Sequence, residues 1–191
     1  MKYLPILLIY LQSMTHLHAQ QKDLPYAKIP DSPQSYTAGA VVSRMLDGLG
    51  FRYYWATQGL RKEDLIFKPS NDARTTEETI DHILQLSQII LNCALHKANT
   101  TSPAKVTFDE KREKTLKNIQ QASHIFVKAT DLSTFSLIFG TGNNKVEFPF
   151  WNQINGPIAD ALWHVGQIVS FRRTSGNPLP KGVHVLKGIK N

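Results

Sequence analysis

Residues 155–178 read NGPIADALWHVGQIVSFRRTSGNP, and this stretch decides the class of the fold. Asn155 and Gly156 suit a helix cap, and Pro157 suits a first turn, where the N–H that proline lacks has no intrahelical acceptor. Gly176 and Pro178 supply the matching stop. Between these signals Ile158, Leu162, Val165 and Val169 fall on one side of a helix. Asp160, His164, Gln167 and Phe171 fall on the other. A helix with one apolar side needs further helices to cover it.

The rest of the chain offers them. Val41, Val42, Met45, Leu46, Leu49, Tyr53 and Ala56 recur at spacings of three and four, which predicts a helix from Tyr36 to about Leu60, weakened at Gly48 and Gly50. Lys62 to Ala73 reads as a loop. Thr75 and Thr76 are N-cap candidates, and Glu78 completes a capping box with Thr75. The helix that follows has two apolar stripes, Ile80-Ile83-Leu84-Leu91-Ala94 and Leu86-Ile89-Cys93, and stops near Asn99 and Pro103. Thr107 and Glu110 form a second capping box, opening a helix to about Ala129. Phe135–Phe139 and Lys145–Phe150 are β-prone and flank the turn residues 140–144, which predicts a small β-hairpin. The expected fold is all-α: four substantial helices in a bundle, with that hairpin between the third and fourth.

The two ends lie outside this pattern. Lys2, the apolar run Leu4 to Leu11 and the small residue Ala19 have the layout of a signal peptide over residues 1–19, with cleavage near Ala19. The alternative is a buried N-terminal helix. Export implies a periplasmic or secreted protein. Residues 20–35, rich in Pro, Gln, Asp and Ser, read as a linker or N-terminal arm, and residues 179–191 as a basic tail. No later segment has the length and apolarity of a membrane span.

Charge narrows the partners. The formal net charge of +7 is scattered through Arg61–Lys68, Lys111–Lys117 and Arg172–Arg173, with acids mixed into the first two. A nucleic-acid binder would concentrate its basic residues and interleave aromatics, so nucleic acid is not expected. With one cysteine, Cys93, no internal disulfide forms, and its apolar helical setting argues against a nucleophile.

Asp160 and His164 stand one helical turn apart on one face, with Gln167 continuing the line. A carboxylate and an imidazole at that spacing can share one divalent ion, given a third ligand from another helix. His82, on the border between the apolar and polar faces of the second long helix, is the natural donor. Gln167 can orient a ligand from behind, or simply face solvent. On spacing alone the line reads more readily as the wet face of the last helix, since an Asp-x-x-x-His pair recurs by chance, and His82 as a hydrogen-bonded boundary residue.

Residues 155–178 resemble the last-helix signature of the DinB/YfiT-like superfamily of four-helix-bundle metalloenzymes. Thr75-Thr-Glu-Glu-Thr-Ile-Asp-His82-Ile is similar to its second-helix motif, and Arg52-Tyr-Tyr-Trp-Ala-Thr-Gln-Gly-Leu60 with Pro69 to its first helix and loop. The likeness covers residues 36–178. It implies a metal held by three histidines, one on the second helix and two four apart on the last. His82 and His164 match two of these, and Asp160 stands at the third. The implied metal is zinc or nickel, with manganese or iron also suited to a carboxylate-bearing site.

The resemblance further implies a metal-dependent enzyme acting on a small molecule, hydrolase-like or a thiol-dependent S-transferase, and a homodimer as in some relatives. Low-molecular-weight thiols are scarce outside the cytoplasm, so export favours hydrolysis or plain binding. The alternative is a non-catalytic metal- or ligand-binding bundle, or an interaction bundle with a degenerate site.

Overall fold

The computed structural model describes residues 24–100 and 106–191, and these are mostly helical. The signal-peptide expectation for residues 1–19 lies outside them. Four long helices carry the core: α1 (Ala38–Thr57), α3 (Thr76–Ala94), α4 (Phe108–Phe126) and α6 (Ala159–Thr174). Two short helices, α2 (Lys62–Ile66) and α5 (Trp151–Gln153), lie between them. Each long helix packs on two others, in the order α1–α4–α3–α6 and back to α1. No helix among the described residues is long and apolar enough to cross a membrane.

Both expected capping boxes form. The Thr75 hydroxyl accepts from the Glu78 N–H while Glu78 accepts from the Thr75 N–H at 2.7 Å, and Thr107 and Glu110 repeat the arrangement. The first stripe of α3 is buried throughout, and of the second Leu86 and Cys93 are buried while Ile89 is partly buried against the core. The glycines of α1 do not interrupt it. Gly50 is there because the Tyr26 ring lies against it, where a Cβ would come within 2.4 Å of Tyr26 Cδ2. Gly39 likewise lets the start of α1 approach the carbonyls of Phe126 and Ala129 at the end of α4.

The residues between and beyond the helices hold more structure than their composition suggests. Within residues 62–73, read as a loop, α2 forms because Asp64 caps it from inside. The expected hairpin is present as β2 (Ser136–Phe139) antiparallel to β3 (Val146–Pro149). A short strand β1 (Ala98–Asn99) adds to it in parallel, through Ala98 opposite Ile138. In the N-terminal arm Tyr26 is buried and donates to Asp47 Oδ1 at 3.1 Å. That carboxylate also accepts from Ser123 of α4, whose oxygen lies 2.8 Å from Ser43 Oγ. The C-terminal residues pair as β4 (Val183–His184) and β5 (Ile189–Lys190), and the Ile29 N–H reaches Gly188 O.

At the shared end of α1 and α6, Arg172 is 2 % exposed despite its charge. Its Nη1 donates to the carbonyls of Trp55, Ala56 and Gln58 at 3.0–3.1 Å, and its Nε to Asn177 O at 2.7 Å. Asn177 and Ser175 in turn donate to the buried carboxylate of Asp64, each at 2.6 Å. Hydrogen bonds from the Arg61 side chain, then from Ser175 and Asn177, hold Asp64 well below the usual carboxylate range in spite of its burial.

Replacing Arg172 with Met strands buried carbonyls, so a loss of about 3 kcal/mol is expected in urea unfolding. The Asp64 pKa is depressed in the folded state, so its stabilisation is complete above the ordinary value of about 3.9 and is lost as pH falls through the folded value. The stability difference between wild type and Asp64→Asn should therefore be largest at neutral pH. It should shrink below about pH 4, and a difference constant with pH would disprove the linkage.

Candidate metal centre

Three side chains from two helices converge where α3 faces the start of α6. His82 sits two turns into α3, and its flanking residues Ile80, Ile83 and Leu84 are buried. Those neighbours fix the rotation of the helix and leave the imidazole at the edge of the core. On α6, Ala161, Val165 and Ile168 point into the core, which turns Asp160 and His164 toward His82.

The path into α6 differs from the sequence expectation. Pro157 is not in the first turn of a new helix, because helical structure already begins at Trp151. It continues through a wide π-helical turn, Ile154–Ile158, in which Gly156 leaves helical dihedrals at φ −94° and ψ −106°. Pro157 has no N–H to donate, so the backbone there loses a hydrogen bond and kinks. Regular α-helix resumes at Ala159, and Asp160 lies in its first turn, where a carboxylate is favoured by the helix dipole. Wide turns of this kind recur at functional sites.

Asp160 is the shared partner of the group. Its Oδ2 lies 3.1 Å from His82 Nε2 and its Oδ1 lies 3.2 Å from His164 Nε2. The two imidazoles meet edge to face, with centroids 4.6 Å apart and planes at 87°. Three ligand atoms, one from each residue, all lie within 4.8 Å of one another, so the group can hold a metal ion. The side chains are 26 %, 37 % and 13 % exposed for His82, Asp160 and His164 respectively. The cluster is thus anchored in the protein and open to solvent on the carboxylate side.

Gln167, for which two roles stood open, is engaged. Its Oε1 lies 2.8 Å from His164 Nδ1. When that amide oxygen accepts a proton from Nδ1, the Nε2 lone pair is left facing Asp160 and His82, the tautomer that a metal ligand needs.

The other residues singled out from sequence lie elsewhere. Tyr53 is fully buried, and burial pushes its phenol up to about 12. Tyr54 stacks beneath the Arg112 guanidinium, whereas Trp151 and Trp163 are exposed. Cys93 is buried, and desolvation pushes its thiol up to about 12, which keeps it protonated and unreactive. The kink at Gly156–Pro157 was missed as a kink. The Gly-Pro pair just ahead of Asp160 was its only signal, and it reads equally as a cap.

In comparisons with family models, curated proteins and solved structures, nothing matches the chain.

Removing the Gln167 carboxamide as Gln167→Leu frees the His164 ring without touching a ligand atom. Zinc affinity measured by competition with a chromogenic chelator should fall about 10–100-fold. An unchanged affinity would mean that Gln167 does not orient the imidazole.

Proposed function

We propose that this chain is an exported, DinB-like four-helix-bundle protein that holds a divalent metal at His82, Asp160 and His164. On this reading it acts on a small molecule as a hydrolase- or transferase-like enzyme. The observation that carries the proposal is the convergence of His82 Nε2 and His164 Nε2 on one carboxylate, from helices far apart in sequence. The likeness of residues 36–178 to the family supports the fold type, and the signal-like residues 1–19 support a periplasmic or secreted location.

The donor set suits such an ion. Two imidazoles and a carboxylate bind zinc, nickel, iron or manganese. Donors about 2.0–2.2 Å from one tetrahedral ion lie about 3.3–3.6 Å apart. The 3.1 and 3.2 Å contacts of Asp160, one to each carboxylate oxygen, are slightly shorter than that spacing, and the ligand atoms of the group lie within 4.8 Å of one another, so the side chains would adjust a little around an ion. Three protein ligands are the number found where substrate or water takes a further position. A bound divalent ion would supply Lewis acidity toward a substrate oxygen or sulfur and would ease deprotonation of water.

The residues divide the remaining work. His164 is oriented by Gln167, His82 is set by the buried face of α3, and Asp160 brings the negative charge that two neutral imidazoles lack. The open carboxylate side gives a small molecule access to the group. Zinc or nickel is the preferred ion, and a homodimer is the assembly suggested by the resemblance.

A second reading has an observation of its own. If each imidazole instead donates an Nε2 proton to Asp160, with the Gln167 amide turned so that its NH2 group donates to His164 Nδ1, the same contacts form a closed hydrogen-bond network that needs no ion. The chain would then be a non-catalytic ligand-binding or interaction bundle.

Elemental analysis of protein purified without chelator separates the two. The metal reading expects close to one zinc or nickel per chain in wild type, and loss of it in His82→Ala and His164→Ala. Metal-free wild type that also fails to bind added zinc would leave the hydrogen-bond network as the better account. Ester and thiol substrates then test the metal-loaded protein for turnover, which the alanine variants should lack.

A further inference from the structure

We propose that the groove between α1 and α6 binds a single-chain amphiphile with an anionic head, of the class of a medium-chain carboxylate. The groove has a cavity of about 510 Å3, within the range of small-molecule sites. Trp55 of α1 and Leu162 and Val169 of α6 give it apolar walls, backed by the buried Phe51 and Val165, and Leu179, Val183 and Val185 of the C-terminal segment border it. From Leu162 to Arg173 the wall runs about 16 Å along α6, which suits an extended alkyl chain rather than a compact ion.

The charged groups at the groove have one sign. Arg52 and Arg173 border it, and no carboxylate is among the described residues lining it. Arg52 donates to Gly48 O of its own helix, and the Arg173 guanidinium has no hydrogen-bond partner among the described residues. A third cation, Lys190, stands with Nζ 5.7 Å from the centre of the Trp55 ring, which also borders the cavity. Guanidinium groups match a carboxylate through paired N–H donors. An inorganic anion would leave the apolar walls wet, and a cationic amphiphile would meet like charge. An apolar chain ending in an anion satisfies both features.

This site is independent of the metal reading. Leu162, Val165 and Val169 project from the side of α6 opposite Asp160 and His164.

Calorimetric titration of the mature chain with sodium dodecanoate, kept below its micelle concentration, tests the proposal. Saturable binding of one dodecanoate per chain is expected. The Arg52→Ala/Arg173→Ala variant should bind about tenfold or more weakly, as loss of charge-assisted hydrogen bonds requires. Val169→Trp should block the chain while the circular dichroism stays helical. His164→Ala should bind as wild type does, so that failure of the metal site and failure of the groove are told apart. The proposal is overturned by absent saturable binding, by equal binding of dodecyltrimethylammonium, or by an arginine double variant that binds like wild type. Sedimentation with anionic phospholipid vesicles, in the absence of any binding of free dodecanoate, would overturn it in favour of a membrane surface.

Discussion

Every α-helix ends with carbonyl oxygens that have no donor within the helix. In α1 two of these, on Trp55 and Ala56, and the Gln58 carbonyl just beyond, are taken up by the single guanidinium of Arg172. Arginine suits this task because it carries several N–H groups in a rigid fork, and its charge complements the negative end of the helix dipole. The remaining donors go to Asn177, which also bonds Asp64 and Gly59. One buried cation thereby ties α1, α2 and α6 together. It sets not only where α6 lies but how it is rotated about its own axis.

That rotation decides what α6 can do. With Arg172, Ile168, Val165 and Ala161 turned inward, Asp160 and His164 are brought against His82 of α3. The opposite side, carrying Leu162, Val169 and Arg173, borders the groove beside α1. One helix therefore presents a polar edge whose Asp160 and His164 meet His82 and an apolar, cation-rimmed edge. The wide turn at Gly156 and Pro157 contributes by ending one run of helix and restarting the next immediately before Asp160.

Asp160 gives the cluster its character. A third histidine would make a neutral donor set, whereas aspartate adds negative charge and two oxygens that can serve two histidines at once. The same geometry therefore suits a hydrogen-bond network and an ion. The contact of Gln167 with His164 Nδ1 orients the imidazole in either case, directing its other nitrogen toward the carboxylate. Reactive sulfur plays no part, since Cys93 is sealed in the core with its thiol protonated.

Local signals in the chain were enough to determine the four long helices. The capping boxes at Thr75 and Thr107 and the three-and-four spacing of apolar residues depend only on neighbours in sequence. The turn residues 140–144 placed the hairpin for the same reason. The pairing of Asp160 with His164 was equally legible, as i and i+4 on one helix. What stayed out of reach depends on partners distant in the chain. The short helix at Lys62 rests on Asp64, whose carboxylate is held by Ser175 and Asn177. The burial of Tyr26 rests on Gly50 and Asp47. Spacing left the face of Asp160 and His164 reading as solvated; His82 was legible beside them from its helix position and the family resemblance, and tertiary packing brings the three into contact. The sequence by itself determined the helices and the types of side chain they carry. The tertiary structure decided which of those side chains meet, because helix rotation is set by long-range contacts such as that of Arg172 with the end of α1.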